Sequence, residues 1–191
     1  MRTTALLVLA LAVVTAGCAS TAGLTPVSYP DPSVGCPAGR AGWKLDVQDR
    51  RADRESSEGV VGLITESIRR SFPGCRWDAD APPDSGRVLI EVHRFSTMQD
   101  GNAWEAAAEW TVLASDASGR TLSEFETREE VSRPNYRGSN NAKESLRLVF
   151  DSAIRRTLTG LRVLTVAVKP SPGEDTQPES PSTEPAAQHS N

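Results

Sequence analysis

Histidine is nearly absent from this 191-residue chain: only His93 and His189 occur, which thins the options for His-based catalysis or metal binding. Positive charge is not in excess, since Lys plus Arg is 21 against 25 Asp plus Glu, a net of −4. A general nucleic-acid-binding surface does not fit that balance. Cysteine occurs three times, at separations that match no zinc pattern. The longest apolar run, Ala5 to Val14, holds ten residues, too few for a bilayer span of about 20. Missing too are a Gly-rich phosphate loop, His-Glu-x-x-His, Cys-x-x-Cys and Gly-x-Ser-x-Gly.

What is present begins with an export signal: Arg2 supplies the positive start, the apolar run follows, and small residues close it. Val14-Thr15-Ala16-Gly17-Cys18 resembles a bacterial lipobox, although Thr15 stands where Leu is usual. The resemblance implies removal of residues 1–17 and lipidation of Cys18, and several acyl chains anchor a protein stably where one holds it only marginally. An ordinary secretory signal with a chance Cys is the competing reading. Ala19, in place of an Asp, favours the outer membrane and its periplasmic face if the host has two membranes.

Residues 18–40 are rich in Thr, Pro, Ser and Gly and read as a lipidated tether, able to stretch to at most about 70 Å. The tail, 169–191, holds five Pro and almost nothing apolar, so disorder is expected. One domain remains, 41–168, with 18 basic and 20 acidic residues. Cys36 and Cys75 are an even pair in an oxidising compartment and suggest a disulfide contributing about 3 to 4 kcal/mol. Two free thiols, or pairing between molecules, are the alternatives.

Trp43, Leu45 and Val47 alternate with polar residues as in a half-buried strand. A helix is predicted over Ser57–Ser71, with Val61, Ile64, Ile68 and Phe72 on its stripe and Pro73-Gly74 as the stop. After a short strand near Cys75 to Asp78 comes a three-stranded meander in which Val88, Ile90 and Val92, then Trp104 through Ala114, share a face. A hairpin tip at Ala117-Ser118 sets Trp110 opposite Phe125, and a loop over Met98 to Asn102 sets Val92 opposite Ala108. The last helix starts near Asn141, where Glu144 completes a capping pattern, and Val163 to Val168 suggests a final strand. This order predicts an α+β, two-layer sandwich: a mixed or antiparallel sheet with two helices on one face.

Val47-Gln48-Asp49-Arg50-Arg51-Ala52-Asp53, Ala108-Glu109-Trp110 before a Gly119 turn, and Tyr136-Arg137-Gly138-Ser139-Asn140-Asn141 complete a resemblance to the YajG-like lipoproteins. More loosely, the chain resembles the PqiC-like auxiliary lipoproteins of ABC-type transporters. The resemblance implies a non-catalytic envelope component whose partner is a protein, lipid or glycan. It supplies no catalytic residue and no cofactor, and the Pro-rich tail departs from it. A hydrolase working with carboxylates alone is the second function class.

Candidate binding residues form three groups. Asp49, Arg50 and Asp53 make a polar loop, for which a salt-bridged turn is the plainer reading. Tyr136, Arg137 and Asn140 present polar groups before the last helix, where a capping loop is the plainer reading. Finally, the meander register sets Glu91 against Glu109, with Glu126 next in the row, so that a basic partner or a calcium-like or magnesium-like cation would relieve the repulsion. Simple hydration of the row is the plainer alternative. The anchor has the sharpest test: Cys18→Ser should abolish labelling with a palmitate analogue and release the protein from membranes, and unchanged fractionation would refute it.

Overall fold

The computed structural model describes residues 23–31, 35–40, 42–52, 57–136 and 138–166. The signal segment, Cys18, Asp53, Arg137 and the tail from 169 lie outside the described residues. Among the described residues, no helix is long and apolar enough to cross a membrane.

The chain forms β1 (Gly42–Asp49), α1 (Ser57–Ser71), β2 (Arg76–Trp77), β3 (Gly86–Asp100), β4 (Ala103–Ser115), β5 (Thr121–Pro134) and α2 (Ser139–Val166). These build the expected α+β fold around a five-stranded mixed sheet of order β2-β1-β3-β4-β5. β1 runs parallel to β2 and β3, whereas β3, β4 and β5 form the antiparallel meander. The inner face carries Trp43, Val88, Ile90, Val92, Trp110, Val112 and Ala114, which with Phe72 and Phe150 are at most 1% exposed.

On α1, Val60, Ile64 and Ile68 are wholly buried, and Val60 takes the stripe position expected of Val61. The apolar stripe of α2 continues through Leu161 to Leu164, so residues 163–166 prolong the helix instead of starting a strand. Helical continuity overrides the β-branched character of that run. The start of α2 also moves, to Ser139. Asn141 Nδ2 donates to Pro134 O at 2.6 Å, and Glu144 pairs with Arg133 at 3.0 Å in place of closing a capping box. A buried polar chain seats α2 on the sheet: Trp110 Nε1 donates to Thr157 Oγ1 at 2.8 Å, Thr157 donates to Ala153 O at 2.9 Å, and Thr127 Oγ1 lies 3.2 Å away.

Both hairpins are tighter or shifted relative to the sequence reading. Asp116 accepts from the Ser118 hydroxyl and from the Ser118 and Arg120 amides, and Gly119 takes the left-handed conformation at φ 84°. These bonds, the Ser118 hydroxyl foremost, hold the Asp116 carboxyl down at about 2. The turn therefore spans Asp116 to Arg120 and sets Trp110 opposite Thr127 and Val112 opposite Phe125. Between β3 and β4 a two-residue turn at Gly101-Asn102 sets Phe95 opposite Ala108, and a bulge at His93 then brings Val92 opposite Trp110. A two-residue slip leaves every side chain on its predicted face but changes its neighbours.

Cys36 and Cys75 form a disulfide with Cα atoms 4.8 Å apart. Upstream of it, residues 23–31, expected within the tether, are packed onto the helices. Val27 N donates to Ser67 Oγ and Tyr29 N to Ser71 Oγ, both at 3.1 Å. Tyr29 OH donates to Asp151, Arg162 donates to the Tyr29 carbonyl, and the Arg155 guanidinium lies 4.2 Å from the centre of the Tyr29 ring.

Two helix glycines should answer the same substitution with opposite signs. A Cβ at Gly62 meets nothing within 4 Å, so Gly62→Ala should stabilise by about 1 kcal/mol. A Cβ at Gly160 would collide with the Phe125 ring, so Gly160→Ala should cost about 1 to 3 kcal/mol. Urea midpoints read both.

Candidate functional site

One face of the sheet is covered by both helices; the other is open. Reading across β1, β3, β4 and β5, its rows are Lys44–Arg87–Ser115, Asp46–Leu89–Leu113–Glu124, Gln48–Glu91–Thr111–Glu126, Arg94–Glu109–Arg128, Ala107–Glu130 and Met98–Glu105–Ser132. Seven acids and four bases occupy these rows.

The expected opposition of Glu91 and Glu109 does not occur. Glu91, Glu109 and Glu126 share the face, but the two-residue slip and the His93 bulge place Glu109 between Arg94 and Arg128, while Glu91 faces Thr111. Arg50 pairs with Glu91 at 2.9 Å, Arg87 with Asp46 at 2.5 Å, and Glu130 takes Arg128 at 3.0 Å and Arg94 at 3.5 Å. The Arg128 guanidinium is pushed up by its bond to Glu130 and that residue's charge, then by Glu109 and, more weakly, by Glu126. Asp46 is held below the usual carboxylate range by hydrogen bonds from Gln48 and then Arg87. His93 Nε2 lies 3.0 Å from Thr111 Oγ1. Among the described residues, no group of three or more His, Cys, Asp or Glu is arranged to hold a metal ion.

The loop candidates behave differently. Asp49 faces inward and takes a two-pronged ion pair from Arg51 at 2.8 and 2.9 Å, with both side chains under 10% exposed. Arg51 also donates to Phe95 O at 3.0 Å, so this part of the loop locks β1 to β3. Arg50 alone of the described pair reaches the open face. Tyr136 is 87% exposed and lines a cleft of 430 Å³ with Arg133, Pro134, Asn141 and Glu144. Asn140 is exposed beside it at the start of α2. A second cleft of 310 Å³ on the open face lies among Arg94, Glu105, Ala107, Glu130 and Ser132.

The two loops are not brought together. Asp49 is level with Val92, whereas Pro134 is level with Asp100, about 26 Å farther along the sheet. Sequence reasoning passed over Tyr29, Ser67 and Ser71, the residues that hold the N-terminal segment. Their signal was two serines spaced four apart within the apolar stripe of α1.

No family model and no curated protein matches the chain. Among solved structures, protein XCC0632 of Xanthomonas campestris, from family DUF330, shares the fold with a TM-score of 0.51 at 16% identity, covering 75% of this chain and 94% of that one. Lipoprotein GNA1162 of Neisseria meningitidis gives a TM-score of 0.43 at 13% identity, over 62% and 98%. A minor lipoprotein of Acinetobacter baumannii gives 0.41 at 12%, over 65% and 92%.

The observed rows reverse the stability expected from opposed carboxylates. Glu109→Gln should lower the melting temperature slightly, and Glu109→Lys further, with both effects shrinking as salt rises. A higher melting temperature for Glu109→Gln would contradict this arrangement.

Proposed function

We propose that this chain is a lipid-anchored component of the cell envelope, on the periplasmic side of the outer membrane, that binds a partner through the open face of its sheet. The observation that carries the reading is the face itself: one side of the sheet is covered by helices, and the other presents ordered rows of charge with acids in excess. The lipobox ending at Cys18 supports the anchor, and the YajG-like motifs support an accessory role. Catalysis by carboxylates needs a general acid with a raised pKa. The carboxyls of Asp46 and Asp116 are both lowered and line neither cleft described above. They serve as fixed anions within hydrogen-bonded turns and pairs.

Glu124 and Glu126 project from β5, the outermost strand, so a partner with basic groups can reach them without disturbing the core. A photoreactive residue at position 124 in the full-length protein, activated in intact envelopes, should give one dominant adduct. Glu126→Lys should remove that adduct while leaving the melting temperature nearly unchanged. An adduct that persists undiminished in Glu126→Lys would overturn this use of the face.

A further inference from the structure

The segment packed across the helices fixes where the chain leaves the domain. Tyr29 lies against Asp151, Arg155 and Arg162, whereas Gly23 sits so close to Lys143 that a Cβ there would collide with the ammonium group. Traced backward from Tyr29, the segment therefore climbs toward the start of α2. Four residues separate Cys18 from Gly23, and the five chain steps between them reach at most about 18 Å by any path. The packed segment thus shortens the leash about fourfold from the roughly 70 Å that a free 22-residue tether allows.

That same end of the domain carries the turn between β3 and β4, the end of β5 and the start of α2, tied together where Asn135 N donates to Asn102 O at 2.6 Å. Three large apolar side chains are exposed among the described residues: Tyr136 at 87%, Val163 at 61% and Met98 at 51%. Tyr136 and Met98 belong to this end. Val163 lies 20 residues beyond Lys143 along α2, about 30 Å away and outside the reach of the leash. Among the described residues at this end, Asp100 and Glu144 offset Arg133 and Lys143, so the apolar side chains are the feature that sets the tip apart. Tyrosine, with an apolar ring and a polar hydroxyl, suits the boundary between headgroups and acyl chains.

We infer that the domain stands tip-down on the bilayer that holds its anchor, with Tyr136 and Met98 in the headgroup layer and the open face of the sheet turned sideways into the periplasm. This placement rests on the lipidation of Cys18. It gives the domain a fixed orientation, and it makes the packed segment Gly23–Asp31 the element that sets it.

The test uses full-length lipidated protein in vesicles of phosphatidylethanolamine and phosphatidylglycerol, with a photoreactive residue at position 136, 98, 163 or 126. Flotation of each sample is measured beside the crosslinking. Lipid adducts several-fold stronger at 136 and 98 than at 163 and 126 are expected. Failure to float overturns the anchor, and the orientation with it. Flotation with equal lipid labelling at all four positions, or with adducts at 136 to a second copy of the chain, overturns the orientation alone. Ser67→Ala/Ser71→Ala, which removes both acceptors for the packed segment, should lower lipid labelling at 136 while flotation persists; undiminished labelling would refute the role of the segment.

Discussion

Two serine hydroxyls on α1 settle how the N-terminal part of the chain relates to the rest. Ser67 Oγ donates to Leu63 O at 2.6 Å and Ser71 Oγ to Ser67 O at 2.7 Å, each satisfying its proton inside the helix. The remaining lone pairs point outward and accept the amides of Val27 and Tyr29. The match is geometric: residues four apart on a helix are separated by about 6.0 Å along its axis, and residues two apart on an extended chain by about 6.6 Å. Both serines are at most 1% exposed, so losing the segment would leave these oxygens to find other partners.

From that pairing the N-terminal organisation follows. The Tyr29 ring is set between α1 and α2, and its phenol is pushed up by burial first and by its bond to Asp151 second. The Cys36–Cys75 disulfide then ties the lower end of the segment to the turn after α1. Residues that composition alone marks as a loose linker thereby become part of the helical layer, and the sheet face opposite them stays free.

Much of the fold was legible because burial imposes a period. Alternation in Val88 to Val92 and Trp104 to Ala114 fixed the inner face, and the Ile64, Ile68 and Phe72 spacing located α1 to the residue. Turn chemistry was harder to read. Asp116 and Gly119 shift the hairpin by two residues, and since side chains alternate with a period of two, faces survive while partners change. The candidate site was correspondingly half legible: Glu91, Glu109 and Glu126 do share a face, but whether a carboxylate meets another carboxylate or an arginine depends on that slip and on the bulge at His93. Asp49 and Arg51 looked exposed because a run of charges reads as a solvated turn, although Asp49 continues the inward phase of Trp43, Leu45 and Val47 and draws its arginine with it. Gly23 to Asp31 was illegible for a related reason, since its partners lie 40 or more residues away.

The central claim is that this segment belongs to the folded domain, and amide hydrogen exchange at Val27 and Tyr29 tests it most directly. With both amides bonded to buried serine hydroxyls, exchange should be slowed to rates comparable with the interior of α1 and should quicken in Ser67→Ala/Ser71→Ala. Exchange at the rates of an unstructured peptide in the unmodified protein would contradict the account.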